Sequence, residues 1–227
     1  AADLILLNGA GFATWIDRVS LPRSRVVNTS RAIEDRFIVT ESITHSHGDG
    51  GEHSHEGLAS YTWLDPTLAA AQADAIAGAL ASRGLAAPND VFAELAALTE
   101  ELEALDAEAQ EALSGARDVP IIATHPRYQY FAARYGLSIT ALEWDAGAEP
   151  TADELADLQA MMDETGARIL IWEAAPPGDG ADAACSLGLA CVTFEPMAHA
   201  PSARTFADVF RKAIADIADA AETSLGN

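Results

Sequence analysis

Regular alternation of apolar strands and helices in the second half of the chain restricts the fold more than any other feature. Four short apolar runs, each followed by a helical pattern, read as strands: VPIIATH (119–125), LSITALEW (137–144), ARILIWE (167–173) and LACVTFEP (189–196). Continuously apolar strands that alternate with helices are typical of a parallel sheet covered by helices on both faces. The sequence therefore predicts an α/β lobe over residues 117–227.

A long amphipathic helix is the second strong signal. Asn89 or Asp90 can cap its start. Apolar side chains then recur at spacings of three and four, at Phe92, Leu95, Leu98, Leu102, Leu105, Ala109 and Leu113. At about 1.5 Å of rise per residue, the segment predicts one continuous helix ~40 Å long. We expect this helix, residues 89–116, to connect two lobes.

The first 88 residues are predicted to form the other lobe. ADLILLNG (2–9) and SRVVNTS (24–30) are apolar runs typical of strands, and FATWIDRV (12–19) reads as a helix between them. The segment 65–84 has an Asp-Pro start, an alanine-rich body and a final glycine, which together predict another helix. The predicted fold class is α/β, with two lobes of parallel-sheet α/β sandwich joined by one long rigid helix.

The charge of the chain excludes some partners. It has 13 basic and 35 acidic residues, for a net charge of -22. Nucleic acids and anionic lipids both bind positive surfaces, so neither is an expected partner. No apolar run is long enough to span a bilayer, and no signal peptide is recognised. The acidity suits a protein that attracts cations.

The two cysteines leave an alternative open. Cys185 and Cys191 are six residues apart, which matches neither a C-x-x-C motif nor a zinc ribbon. They can form a small disulfide in an oxidising compartment or remain two buried thiols.

Residues 41–60 form a segment rich in glycine, histidine and acids, without periodicity, which predicts a long loop. Four of the six histidines lie there: His45, His47, His53 and His55. Together with the carboxylates of Asp49, Glu52 and Glu56, these imidazoles can chelate a borderline divalent cation. The entropy cost of ordering a glycine-rich loop keeps such binding weak. The alternative interpretation is a solvated loop without a ligand.

Candidate ligands also stand where predicted strands end. His125, Glu173 and Glu195 each close one of the apolar runs. Ligands of open α/β sheets lie beyond the carboxyl ends of the strands. A histidine and carboxylates there are the elements of a metal site. The alternative is that His125 caps the next helix and the glutamates are ordinary acids at strand ends.

A metal-dependent hydrolase is the competing interpretation. HSHGD (45–49) satisfies the H-x-H-x-D motif of metallo-β-lactamase-type hydrolases, with His125 and His199 as candidate distant ligands. However, Gly50 stands where that motif continues with histidine. That fold also needs two β-rich sheets, whereas everything after Pro88 alternates between helix and strand. The motif match is therefore interpreted as accidental.

The order of several segments resembles one family. ADLILLNGAGFATWID, the histidine-rich loop, YTWLDP, the long helix, ATHPRYQYFAARYGL, ILIWE and CVTFEP follow one another as in the metal-binding solute receptors of bacterial zinc and manganese ABC transporters. The resemblance covers residues 1 to about 224. It implies two α/β lobes, one rigid connecting helix and a metal ion bound between the lobes.

The resemblance also implies specific ligands. The family's histidine in this part of the chain matches His125 in THPRYQYF, and its aspartate before proline falls on Glu195. Tyr61 stands where the family has another histidine, and a phenol of pKa about 10 is a poor ligand at neutral pH. A further histidine belongs to an N-terminal strand without a counterpart here, so the N-terminal lobe reads as incomplete.

Two of four expected donors therefore remain, whereas zinc commonly takes four ligands. Three explanations are open. The missing strand is absent from the chain as given, or loop histidines such as His53 and His55 complete the site. In the third, the chain is a partner protein that keeps the receptor fold with a degenerate metal site.

The resemblance implies a receptor and not an enzyme. It would be a monomer, periplasmic or lipid-anchored outside the cytoplasm, that captures Zn²⁺ and delivers it to an ABC permease, with a periplasmic metallochaperone as a further candidate partner. Zinc is favoured over Mn²⁺ because imidazole suits zinc, whereas manganese prefers oxygen donors. The loop histidines would recruit the metal, and Glu173 is a further candidate for the cleft.

Overall fold

The computed structural model describes residues 2–40, 57–145, 148–174, 180–199 and 204–226. It divides into two compact units, Ala1–Leu102 and Glu103–Asn227. The boundary between the units falls within the long helix. That this helix acts as a connection between lobes 1–88 and 117–227 stays a prediction.

Two short strand pairs form the sheets of the first unit. Strands β1 (Ile5–Leu7) and β2 (Val26–Asn28) are parallel, as expected of an α/β lobe. Strands β3 (Val39–Thr40) and β4 (Gly57–Leu58) pair antiparallel. The Thr40 hydroxyl also donates to the carbonyl of Gly57 at 2.9 Å. Strands β3 and β4 flank residues 41–56 in the sequence, and those residues lie outside the described ones.

Helix α1 (Pro66–Ser82) begins where the Asp-Pro signal predicts it. Asp65 is the N-cap, and its carboxylate accepts from the backbone N–H of Thr67 at 2.8 Å. Arg36 pairs with the same carboxylate at 3.2 Å. Other connections of the first unit are 3-10 helices: Thr14–Arg18, Arg23–Arg25, Arg31–Arg36 and Thr62–Leu64.

The helix predicted over residues 12–19 is wrong in type and length. Only a 3-10 helix, Thr14–Arg18, forms there. Gly9, Ala10 and Gly11 all have positive φ, so the chain enters the segment through a left-handed turn. Pro22 follows soon after and holds the chain in an extended conformation, which leaves too few residues to nucleate an α-helix.

Helix α2 (Pro88–Ala112) is the long helix that the apolar spacing predicts. Its 25 residues span about 37 Å, and a 3-10 turn, Leu113–Ala116, continues it. The apolar stripe is buried at Leu102, Leu105 and Ala109, whereas Phe92 and Leu98 remain exposed. Periodicity therefore predicted the helix correctly but did not show which part of the stripe is covered.

The second unit contains the parallel sheet that the sequence predicts. Its strands are β5 (Ile121–Ala123), β6 (Ile139–Ala141), β7 (Ile169–Trp172) and β8 (Ala190–Thr193). They are all parallel in the order β6-β5-β7-β8. The strands are each followed by one helix: α3 (Gln129–Tyr135), α4 (Ala152–Thr165), α5 (Gly180–Cys185) and α6 (Phe206–Leu225). Among the described residues, no helix is both long and apolar enough to cross a bilayer.

Two apolar layers hold this unit together. One contains Leu170 and Trp172 of β7 together with Leu158 of α4. The other is aromatic, with Phe131 of α3 lying 5.1 Å from Phe194 and 5.9 Å from Phe210 of α6, between ring centroids.

Helices α4 and α6 begin with capping boxes, in which Thr151 and Thr205 are the N-caps. Cys185 and Cys191 form a disulfide, which decides between the two alternatives. This bond ties the end of α5 to the second residue of β8.

Candidate metal site

Three candidate ligands lie along the carboxyl edge of the second unit's sheet. Ala123 pairs with Ile171, so His125 and Glu173 occupy corresponding positions two residues further along. Strand β7 lies between β5 and β8, which places Glu173 between His125 and Glu195 in strand order. Neighbouring strands are about 4.8 Å apart, so β5 and β8 are separated by roughly 10 Å.

The ring of His125 is held by a hydrogen bond to the backbone of Trp144. Its Nδ1 lies 2.7 Å from the carbonyl oxygen of Trp144. A carbonyl oxygen only accepts, so Nδ1 carries the proton and the neutral ring keeps a lone pair on Nε2. Metal-binding histidines usually donate their other ring N–H in this way, since the bond fixes the tautomer and the ring orientation. In its neutral form, the half-buried ring of His125 therefore has its lone pair on Nε2.

The carboxylate of Glu173 is paired with Arg127, which the sequence did not single out. Its carboxylate accepts from Nε of Arg127 at 3.1 Å, and its side chain is only 10% exposed. Its backbone N–H also donates to the hydroxyl of Thr124 at 3.4 Å. A cation could use this carboxylate only by replacing or sharing the guanidinium of Arg127.

Glu195 also has a basic partner, in a more open setting. Its carboxylate lies 2.8 Å from Nη2 of Arg204, and both side chains are 44% exposed. The preceding carbonyl, of Phe194, accepts from the hydroxyl of Tyr128 at 2.6 Å. The backbone before Glu195 is therefore fixed, while its carboxylate remains accessible to solvent.

Tyr61 belongs to an aromatic cluster of the first unit. Its ring is 5.7 Å from that of Phe12 and 5.0 Å from that of Trp63, between centroids. Tyr61 is only 7% exposed. In this environment the ring contributes packing to the first unit, and its place in a metal cleft stays a prediction.

The described residues do not assemble a complete site by themselves. Within the described ranges, no three His, Cys, Asp or Glu side chains form a group able to hold a metal ion. The four loop histidines, His45, His47, His53 and His55, lie outside the described residues. His125 and Glu195 would therefore need further donors to reach the four ligands usual for zinc.

Sequence reasoning missed Arg127, Arg204 and Trp144. The bond between Arg127 and Glu173 joins residues 46 apart, and that between His125 and Trp144 joins residues 19 apart. Strand-end positions indicate which residues reach one edge of the sheet, but they carry no signal for partners brought together by the order of the strands.

Similar proteins support the fold. The curated "Zinc-binding lipoprotein AdcA" of Streptococcus pneumoniae is 29% identical over 164 residues, which cover 69% of this chain and 32% of the lipoprotein. The chain thus matches about a third of that relative's length. A crystal structure of Zn(II)-bound AdcA from the same species matches with a TM-score of 0.78 at 18% identity, over 97% of this chain and 47% of that one.

The Pseudomonas aeruginosa solute-binding protein FpvC, solved in complex with Mn²⁺, matches with a TM-score of 0.75 and 19% identity. This match covers 98% of this chain and 81% of FpvC. At such low identities, both structural matches establish only the shared α/β fold. They confirm the predicted fold class.

The family comparison covers nearly the whole chain. Residues 1–220 match the family ZnuA, described as "Zinc-uptake complex component A periplasmic". That description is of a transport component outside the cytoplasm, so it confirms two predictions, that the chain is not an enzyme and that it is extracytoplasmic. This chain belongs to the ZnuA family of periplasmic zinc-uptake components.

Proposed function

We propose that this protein captures Zn²⁺ outside the cytoplasm and that Nε2 of His125 is a ligand of the metal. The observation that carries the proposal is the 2.7 Å bond between Nδ1 of His125 and the carbonyl of Trp144. It leaves Nε2 as the ring's lone-pair donor at the edge of a parallel sheet, where ligands of α/β folds bind. Membership of a zinc-uptake family supports zinc as the cargo.

Glu195 is the second proposed ligand. Its pairing with Arg204 is half-exposed, and exposed pairs of this kind contribute less than about 1 kcal/mol. A divalent cation can therefore displace Arg204 at little cost. The same exchange is harder at Glu173, because that carboxylate is mostly buried with Arg127. We accordingly rank Glu195 above Glu173 as a ligand, and a place for Tyr61 in the metal cleft remains what the family resemblance implies.

The remaining donors are assigned to the histidine-rich loop. His45, His47, His53 and His55 would bind metal weakly, and His53 or His55 would complete the coordination of the main site. Zinc delivery would then go to an ABC permease in the membrane. Manganese is the less suitable cargo, because its preferred ligands are oxygen donors rather than imidazoles.

Zinc titration against a chromophoric chelator tests this proposal. The wild-type chain is compared with His125→Ala and with a variant in which all four loop histidines become alanine. We expect one tight site that disappears with His125 and weaker sites that disappear with the loop histidines. His199→Ala is the matched control, since His199 is exposed and should leave the titration unchanged.

One result would remove the proposal. If zinc binds only through the loop and His125→Ala titrates like the wild type, the strand edge is not a working site.

Binding should also weaken below about pH 6, where imidazoles become protonated and compete with the cation.

A further inference from the structure

Both backbone polar groups of Trp144 bind the segment that carries His125. The N–H of Trp144 donates to the carbonyl of Thr124 at 3.0 Å, and its carbonyl accepts from Nδ1 of His125 at 2.7 Å. The first bond continues the pairing of β6 with β5 beyond the last strand residue, Ala141. Trp144 therefore joins the chain after β6 to the backbone of Thr124 and to the imidazole of His125.

The indole ring explains how this contact is maintained. Trp144 is 6% exposed, and its ring centroid lies 5.4 Å from that of Trp172, with 54° between the planes. Both rings belong to the apolar layer that includes Leu158 of α4. Trp172 is the last residue of β7, the strand adjacent to β5. The ring of Trp144 thus packs on Trp172 of β7, while its backbone is hydrogen-bonded to the residues that follow β5.

We propose that Trp144 is a positioning residue for His125. Packing of its indole on Trp172 holds the carbonyl that keeps the proton on Nδ1 and directs Nε2 outward. This inference rests on the proposed function, in which Nε2 binds the metal. A backbone carbonyl bonded to the ring N–H of a ligand also raises the basicity of the other nitrogen. The role therefore extends to the strength of metal binding as well as to its geometry.

A merely structural role predicts different behaviour. Trp144 and Leu158 are buried in the same layer, but the part of the chain that the structure describes shows no bond from Leu158 to the His125 segment. If Trp144 only filled the core, Trp144→Ala and Leu158→Ala would act alike on metal binding. If Trp144 positions His125, only its own replacement should change the ring and its metal affinity.

The experiment combines nuclear magnetic resonance with zinc titration. ¹⁵N spectra of histidine rings are recorded on the metal-free chain at pH 8, and the His125 signals are identified by their loss in His125→Ala. The wild type and Leu158→Ala should show the Nδ1–H tautomer. Trp144→Ala should show a mixture of tautomers and bind zinc about tenfold more weakly, at the lower end of effects for such supporting bonds. Trp144→Phe, which restores a ring, should recover most of the loss.

Several outcomes would overturn the inference. Trp144→Ala with wild-type tautomer signals and a zinc affinity within threefold of wild type would exclude the positioning role. So would equal losses in Leu158→Ala and Trp144→Ala. Should Trp144→Ala fail to fold, Trp144→Leu gives the same comparison with an apolar side chain and no ring contact.

Failure of the proposed function is distinguishable from failure of this inference. If His125→Ala binds zinc like the wild type, the metal role of His125 is wrong whatever the tautomer signals show. In the background of His125→Ala, Trp144→Ala should cause no further loss of zinc affinity. An additional loss there would mean that Trp144 acts on binding by another route.

Discussion

Arg127 and Glu173 form an ion pair, 3.1 Å between Nε and Oε2, beside the proposed metal ligand His125. Glu173 stands at the strand position that corresponds to His125, which by itself makes it a candidate ligand. Its burial with Arg127 instead gives it a charge partner within the protein. The two acids of the edge thus differ, with Glu195 exposed and Glu173 enclosed.

Replacing Arg127 by alanine should destabilise the chain. The carboxylate of Glu173 would lose a donor while remaining mostly buried, which costs about 1–3 kcal/mol in the free energy of unfolding. Denaturant unfolding at neutral pH measures this cost. Arg211→Ala is the matched control, because its partner Glu108 is 45% exposed and such pairs contribute less than about 1 kcal/mol. Equal losses in the two variants would contradict the assigned difference in burial.

The capping box of α6 should make the free energy of unfolding depend on pH in the acidic range. The backbone N–H and the hydroxyl of Thr205 donate to the Asp208 carboxylate and lower the pKa of that group. A lowered pKa in the folded state contributes stability above the ordinary value of 3.8, and this contribution is lost as the pH falls through the folded pKa.

The difference in melting temperature between the wild type and Asp208→Asn should therefore be largest near neutral pH and shrink below about pH 4. Thr205→Ala removes the hydroxyl oxygen that accepts from the backbone N–H of Asp208, and this loss of the N-cap should cost about 1 kcal/mol. A wild-type advantage over Asp208→Asn that grows with acid would contradict this account.

Loss of the Cys185–Cys191 disulfide should reduce stability moderately. The bond closes a short loop, because the cysteines are six residues apart. Loop-closure entropy for that length corresponds to about 2 kcal/mol. We expect the double variant Cys185→Ser, Cys191→Ser to unfold at correspondingly lower denaturant concentration, and reductant to shift only the wild type. Unchanged unfolding on reduction would show that the disulfide does not stabilise the unit.

Replacing Gly9 by alanine should lower the free energy of unfolding more than the same change at Gly11. Both have positive φ, 75° and 71°, so alanine at either position carries a backbone penalty of about 1–2 kcal/mol. A Cβ on Gly9 would also lie 1.9 Å from Oγ of Ser30 and 2.2 Å from Oδ1 of Asn28, whereas a Cβ on Gly11 would meet open space. Gly9→Ala should therefore lose about 1–3 kcal/mol more than Gly11→Ala. Equal losses in denaturant unfolding would contradict the close approach at Gly9.

Local sequence patterns predicted much of the fold. Helix α1 follows from its Asp-Pro start, helix α2 from apolar spacing, and the parallel sheet from strands that alternate with helices. His125 at the end of β5 was found in the same way. The order β6-β5-β7-β8 and the partners Arg127 and Trp144 are non-local, so no short segment encodes them. The α-helix predicted over residues 12–19 is wrong for a local reason. A left-handed turn precedes the segment, and only a 3-10 helix forms despite the helical pattern.

Anomalous diffraction at the zinc edge, on crystals of the zinc-loaded chain, would locate the metal relative to His125. We expect zinc about 2.0–2.1 Å from Nε2 of His125, with Nδ1 still hydrogen-bonded to the carbonyl of Trp144 and the Glu195 carboxylate also bound. Zinc coordinated by loop histidines alone, with Nε2 of His125 free of metal, would contradict this expectation.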